Sequence, residues 1–248
     1  MKSLNIQPAG DRALYVSFGS EISPEVNQKV IELSHFLRSR NQPAIQEIIP
    51  ATNSLLIRYD PESIGYTDMR LLLDSLVSLS PIRFEDEKKL LKMPVCFEKA
   101  YGPDLSYIAD RAGIGAEQLI DRLIQKDYRI YMFGGEPGYA SALGLDPLLE
   151  TPRRAIRHEQ IPAGSIGIRN DELGIFALPI SGDWRIIGRT PLQLFQPNQE
   201  EVILFEAGNE LRFEPISEKE YISIKSMVDA GTYKAKWQKK EETWDFES

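Results

Sequence analysis

The sequence has 248 residues, 42% of them hydrophobic, with a formal net charge of −8 and a pI near 5.0. That balance excludes DNA or RNA as the main partner, because phosphate contacts need a basic surface, although a local arginine cluster can still hold a small carboxylate or phosphate. The single cysteine, Cys96, excludes an internal disulfide, two histidines and one cysteine are too few for a structural zinc site, and no stretch approaches the ~20 apolar residues of a membrane helix, so the expectation is a cytoplasmic protein with no membrane contact and no metal.

Taken in chain order, the opening MKSLNIQPAGDR has no apolar run of signal-peptide length. Asp11 to Phe18 reads as a strand. Ser23-Pro24-Glu25 is a helix start, with a capping hydroxyl, a proline at the first helical position and an acid in the first turn; Val26, Val30, Leu33 and Leu37 then lie at helical spacing. His35 falls between them as a boundary residue. Ile45 to Ile49 and Leu55 to Tyr59 are strands around a turn at Pro50 to Asn53. Met69, Leu72, Leu73, Leu76 and Val77 make a second amphipathic helix, and a further strand follows around Lys92 to Phe97. Strand, helix, strand, strand, helix, strand is the ferredoxin-like order, and the charged run Glu85 to Lys89 is a candidate boundary.

Two short helices flank Gly113-Ile114-Gly115. Ile108, Ala109, Gly113 and Leu119 fall roughly where a DNA-binding helix-turn-helix needs them, but the second helix is not basic and opens with an acid, so a helical hairpin packed on a sheet is expected instead. The strand Tyr128 to Phe133 runs into Gly134-Gly135-Glu136-Pro137-Gly138. This loop lacks the Lys-Ser/Thr of a phosphate-binding loop and reads equally as a turn where backbones pass closely. After the turn Pro162-Ala163-Gly164-Ser165 come three strand patterns ending in Gly188-Arg189-Thr190-Pro191. Val202 to Phe205 and Leu211 to Phe213 are further strands, and Ser217 with Glu220 is a capping box for a last helix. The end, with Trp237 and Trp244, reads as a charged tail. The second half is therefore mostly strands, closed into a barrel or a sandwich.

The chemistry-bearing candidates cluster near those turns. Arg153, Arg154 and Arg189 carry guanidinium forks suited to a carboxylate or phosphate, or to ion pairs with Glu150, Glu159 or Asp183. Ser165 and Thr190 can bond a ligand or their own turns. His158 is a possible general base, Gly134 and Gly138 offer backbone donors, and Glu172, at the turn Asn170-Asp171-Glu172, is a free carboxylate or a hairpin tip. No catalytic residue can be assigned, since no nucleophile elbow and no serine-histidine-carboxylate set is present.

The segments GDRALYVSFG, Gly102-Pro103-Asp104, YRIYMFGGEPGY, TPRRA, PAGSIGI and WRIIGRTPLQLF occur in the order seen in the family of the 5-oxoprolinase B subunit, which the chain resembles from about Gly10 to Pro215. That family includes the kinase inhibitor KipI and the allophanate hydrolase subunit 1 module of urea carboxylase. The resemblance implies an α+β protein, with a ferredoxin-like N-terminal domain over 1–89, a cyclophilin-like β-barrel domain with a helical hairpin over 90–225, and a charged tail over 226–248. It implies one part of an enzyme, inactive alone, that opens 5-oxoproline to L-glutamate with ATP. The ATP would be used by the complex, whose other members are the homologous, KipA-like C subunit, similar to allophanate hydrolase subunit 2, and the LamB/YcsF-like A subunit. Arg153, Arg154, Arg189, Ser165, Thr190, Gly134, Gly138, Glu172 and His158 would then hold a small-molecule substrate or anion. The family also allows an inhibitor of a sensor histidine kinase, or a carboxyltransferase module of a urea carboxylase. The chain departs from the family pattern at Leu123, at Gly135, at Ala140 to Ala142, and at Glu172-Leu173.

Overall fold

Ser23 opens the first helix through its hydroxyl, which accepts a hydrogen bond from the Val26 amide at 3.3 Å, while Pro24 and Glu25 occupy the first turn. The structure is a computed structural model; it describes residues 5–79, 89–199 and 202–239, with side chains in the second helix up to residue 76. The charged run at 85–88, the Val77 side chain and Trp244 lie outside the described residues. The chain divides into two units, 1–86 and 87–248.

The first unit contains β1 (Asn5–Pro8), β2 (Ala13–Ser17), α1 (Pro24–Ser39), β3 (Ile45–Pro50), β4 (Ser54–Tyr59) and α2 (Tyr66–Leu79). Its sheet runs β1-β2-β4-β3, antiparallel throughout. Val30, Leu33 and Leu37 of α1 and Met69, Leu73 and Leu76 of α2 bury against Leu14, Val16, Leu55 and Ile57, each fully buried large side chain contributing about 1.5–3 kcal/mol. Five of the six elements of the expected order are here. The sixth is not: the strand around Lys92 to Phe97 belongs to the second unit, and β1, which sequence patterning missed, takes the free edge beside β2.

The reason lies in β5 (Lys89–Cys96). Its residues are buried on both faces, which an edge strand of an open two-layer sheet cannot achieve. It pairs in parallel with β13 (Glu210–Ile216) along seven residues, from Leu90 opposite Glu210 to Cys96 opposite Ile216. The rest of the second unit comprises α3 (Leu105–Ala112), α4 (Ala116–Ile124), β6 (Tyr128–Phe133), β7 (Ala140–Leu143), β8 (His158–Ile161), β9 (Ser165–Arg169), β10 (Glu172–Ile175), β11 (Ile180–Gly182), β12 (Arg185–Arg189), α5 (Glu218–Asp229) and β14 (Lys236–Lys239). The pairing order β12-β9-β10-β7-β6-β13-β5 returns to β12 where Arg189 meets Cys96, so seven strands form a barrel. The barrel, not the sandwich, is the outcome. β8 and β11 form a separate ribbon.

Leu91, Met93, Val95, Ile130, Ile166, Ile168, Leu173, Ile187 and Leu211 fill the barrel. Leu105, Ile108, Leu119 and Leu123 join that core, so α3 and α4 form the expected packed hairpin, with Gly113 at φ +67° ending α3. Four strands, not three, follow the turn at 162–165. Val202 to Phe205 is not a strand and makes one bridge, Ile203 to Phe195. Residues 226–239, read as the start of a tail, finish α5 and form β14 on β5, where Trp237 packs on the barrel core. Among the described residues no helix is long and apolar enough to cross a membrane.

Candidate functional site

Gly102 positions the first cluster. A Cβ there would lie 2.2 Å from the Ile187 carbonyl oxygen, so only glycine lets this segment run against β12. The contact places Asp104 beside Ile186. The Asp104 amide donates to the Ile186 carbonyl at 2.9 Å, and the Ile186 amide donates back to Asp104 Oδ2 at 2.9 Å. Asp104 is buried and immediately precedes α3, yet its carboxylate does not cap that helix. It is taken up from elsewhere. Oδ1 accepts from Arg154 Nη1 and, at a long 3.5 Å, from Arg185 Nη1; Oδ2 lies 3.2 Å from His158 Nε2. Arg154 is further fixed through Nε to the Ile156 carbonyl at 3.1 Å, and Arg185 stacks over the Tyr107 ring at 3.7 Å. Two guanidiniums and an imidazole thus share one carboxylate, leaving local positive charge on side chains that are still partly exposed.

A second chain of contacts begins at Arg153, which reaches Asp183 at 3.4 Å and is otherwise mostly in water. Asp183 also lies 3.9 Å from Arg169. Arg169 stacks over Trp184 at 4.1 Å and donates to Glu172 Oε2 at 2.9 Å. Glu172 is neither a free carboxylate nor a hairpin tip. The tip is Asn170, at φ +57°, and Glu172 is the first residue of β10, where Oε1 accepts from Tyr139 at 2.7 Å and from Ser141 at 2.8 Å. Burial opposes its charge, but the hydrogen bonds from Tyr139, Arg169 and Ser141 and the Arg169 charge outweigh it and hold the carboxyl below its ordinary range. Two positions that depart from the family pattern, Ser141 and Glu172, therefore meet with Tyr139 in one bonded group.

The other candidates lie apart from these. Arg189 pairs with Ser165 across β12 and β9, beside the Tyr101 ring at 5.4 Å. Ser165 Oγ is fully buried and, among the described residues, has no hydrogen-bond partner. Thr190 Oγ1 accepts from the Leu192 amide at 3.3 Å and so serves its own turn. Gly134 closes the β6–β7 loop by donating to the Tyr139 carbonyl at 3.3 Å. Gly138, at φ +75°, has no room for a Cβ, which would lie 2.6 Å from Ala177 Cβ; this loop is a close passage of backbones. Leu123 is a core residue. The structure thus brings Arg154 and His158 to one centre, puts Arg153 and Glu172 on the neighbouring chain of ion pairs, and leaves Arg189, Ser165, Thr190 and the glycines elsewhere. Sequence reasoning missed Asp104, Arg185 and Arg169. The closeness of Gly102 and Pro103 to Asp104 was the available signal for the first.

A family model described as "Carboxyltransferase domain, subdomain C and D" matches residues 4–205. The B subunit of the 5-oxoprolinase of Bacillus subtilis (strain 168) is 32% identical over 230 residues, covering 89% of this chain and 96% of that protein. The corresponding 5-oxoprolinase B subunit of Escherichia coli O157:H7 is 30% identical over 215 residues, with 84% and 94% covered. Among solved structures, TTHA0988 superimposes with a TM-score of 0.74 at 26% identity over 83% of this chain; the match spans only 40% of TTHA0988, which is the longer chain. With the family model running through both units and the curated relatives aligned along nearly their whole lengths, this chain belongs to the carboxyltransferase domain, subdomain C and D, family.

Proposed function

We propose that this chain is the carboxylate-holding member of a multi-subunit enzyme of the carboxyltransferase and oxoprolinase type. The observation that carries the reading is the shared carboxylate: Arg154, Arg185 and His158 all lean on Asp104, so the cluster keeps positive charge to spare while its orientation is already fixed. Such a cluster receives a small carboxylate with little reorganisation. The name of the relatives, 5-oxoprolinase, supports an acid that carries an amide as substrate. The most specific form is 5-oxoproline, opened to L-glutamate with ATP by an assembly that also contains the C and A subunits. ATP is then handled by the assembly.

A second form, a carboxyltransferase module of a urea carboxylase, is favoured by the family description itself. Reconstitution separates them. The chain is combined with the C and A subunits from its own source and assayed with ATP and 5-oxoproline, and in parallel with a biotin carboxylase partner, bicarbonate and urea. In the productive system, Arg154→Ala is expected to raise KM about tenfold to a hundredfold, the loss of one charge-assisted hydrogen bond. An unchanged KM would remove the carboxylate-holding role.

A further inference from the structure

His158 was separated in the sequence from any catalytic partner, and the structure supplies one. Its Nε2 lies 3.2 Å from Oδ2 of Asp104, a carboxylate that is itself buried. The two oxygens of Asp104 have different duties. Oδ1 takes both guanidiniums, and Oδ2 takes the Ile186 amide and the imidazole. The Ile186 amide belongs to a barrel strand, so the plane of the carboxylate is fixed by the sheet and not by the arginines alone. An imidazole set against a fixed carboxylate oxygen donates Nε2–H to it and keeps Nδ1 as the free acceptor. Among the described residues His158 makes no second side-chain hydrogen bond, and its side chain is 20% exposed, which leaves Nδ1 without a protein partner.

Resting on the carboxylate-holding reading above, we propose that His158 is a proton-transfer residue of this site, with Asp104 as the positioning residue that fixes its tautomer. The substrate class is a small carboxylate with a hydrolysable amide next to it: Arg154 and Arg185 would hold the carboxylate, and a water held on Nδ1 would meet the amide carbonyl carbon. The hydrolytic step balances with water as its only co-reactant, and ATP is used by the assembly outside this step. Nδ1 takes a proton from the water as its oxygen bonds to the carbonyl carbon. The same proton passes to the amide nitrogen as the carbon–nitrogen bond breaks. A carboxylic acid and an amine are left, and the acid's remaining proton moves to the amine to give carboxylate and ammonium.

Two measurements test this, and they fail separately from the substrate reading. On the isolated full chain, 15N NMR of the imidazole is expected to show the Nε2–H tautomer in the wild type and its loss in Asp104→Asn. A wild-type His158 found as the Nδ1–H tautomer, or as a rapidly exchanging mixture of both, overturns the proposal even if the enzyme turns over. In the reconstituted enzyme, His158→Gln is expected to lower kcat about 100-fold or more, with KM within about twofold. Added imidazole is expected to restore part of the rate. A KM effect with kcat unchanged would make His158 a binding residue and overturn the proton-transfer role, whereas no turnover of any amide acid by the wild type would sink the substrate reading and leave the tautomer result to decide the dyad.

Discussion

Asp104, in the segment before α3, and Ser165, on barrel strand β9, are both buried, yet the carboxylate gathers donors from four residues while, among the described residues, the hydroxyl has no partner. Burial alone therefore does not mark a site. A buried acceptor held by groups from three separate segments has been organised by the fold, and its neighbours depend on it. A buried hydroxyl without a partner at the start of a strand has not been organised in this way. Removing each side chain should expose that difference.

The largest effect is expected at Asp104. Asp104→Ala strands Arg154, Arg185, His158 and the Ile186 amide around an uncompensated positive charge, and breaking a buried pair in this way costs about 3–5 kcal/mol. Urea unfolding would read this as a lowered midpoint with an unchanged slope. A loss under about 1 kcal/mol would mean that the cluster is solvated in solution and that its orientation is not preset.

Glu172 should fall between the two. Glu172→Gln keeps the shape but loses the charge that Arg169 and the two hydroxyls bond, a cost of about 1–3 kcal/mol at pH 7. Because the folded state holds this carboxyl below its ordinary range, its contribution is present above the unfolded value near 4.5 and is lost as pH falls through the lower folded value. The gap between wild type and variant should therefore be widest at neutral pH and narrow below about pH 4. Urea midpoints at pH 7 and pH 3 check this; a gap that widens in acid would show that the hydrogen bonds favour the neutral carboxyl.

What the sequence discloses follows the distance over which each feature is decided. Ser23 and the Ser217–Glu220 box start helices through contacts three residues away, and both were legible. Of the ion pairs left open for the arginines, with Glu150, Glu159 or Asp183, the one that Arg153 makes is with Asp183. β5 was assigned to the wrong sheet because its partner β13 lies beyond every other barrel strand in the chain, and no local period reports it. Glu172 looked free because Tyr139 and Ser141 come from 33 and 31 residues earlier. The Asp104 centre is the extreme case: its partners are 50, 54 and 81 residues away, so neither spacing nor charge pattern joins them. The arginines were visible as arginines, but the acid that orients two of them was not.

The smallest effect is expected at Ser165. Its Oγ is buried without a partner, so the folded state carries a desolvated hydroxyl that water satisfies in the unfolded chain. Ser165→Ala removes that hydroxyl and leaves the rest of the side chain in place, so stability should stay within about 0.5 kcal/mol or rise by up to about 1 kcal/mol. Arg189, its partner across the strands, also has a buried Nε without a bond, so no acceptor on this wall is lost with the hydroxyl. A loss above about 1 kcal/mol in urea unfolding would reveal a bond that Ser165 makes in solution, to a trapped water or to Arg189. The wall would then be an organised polar site like the one at Asp104, and the contrast between the two would disappear.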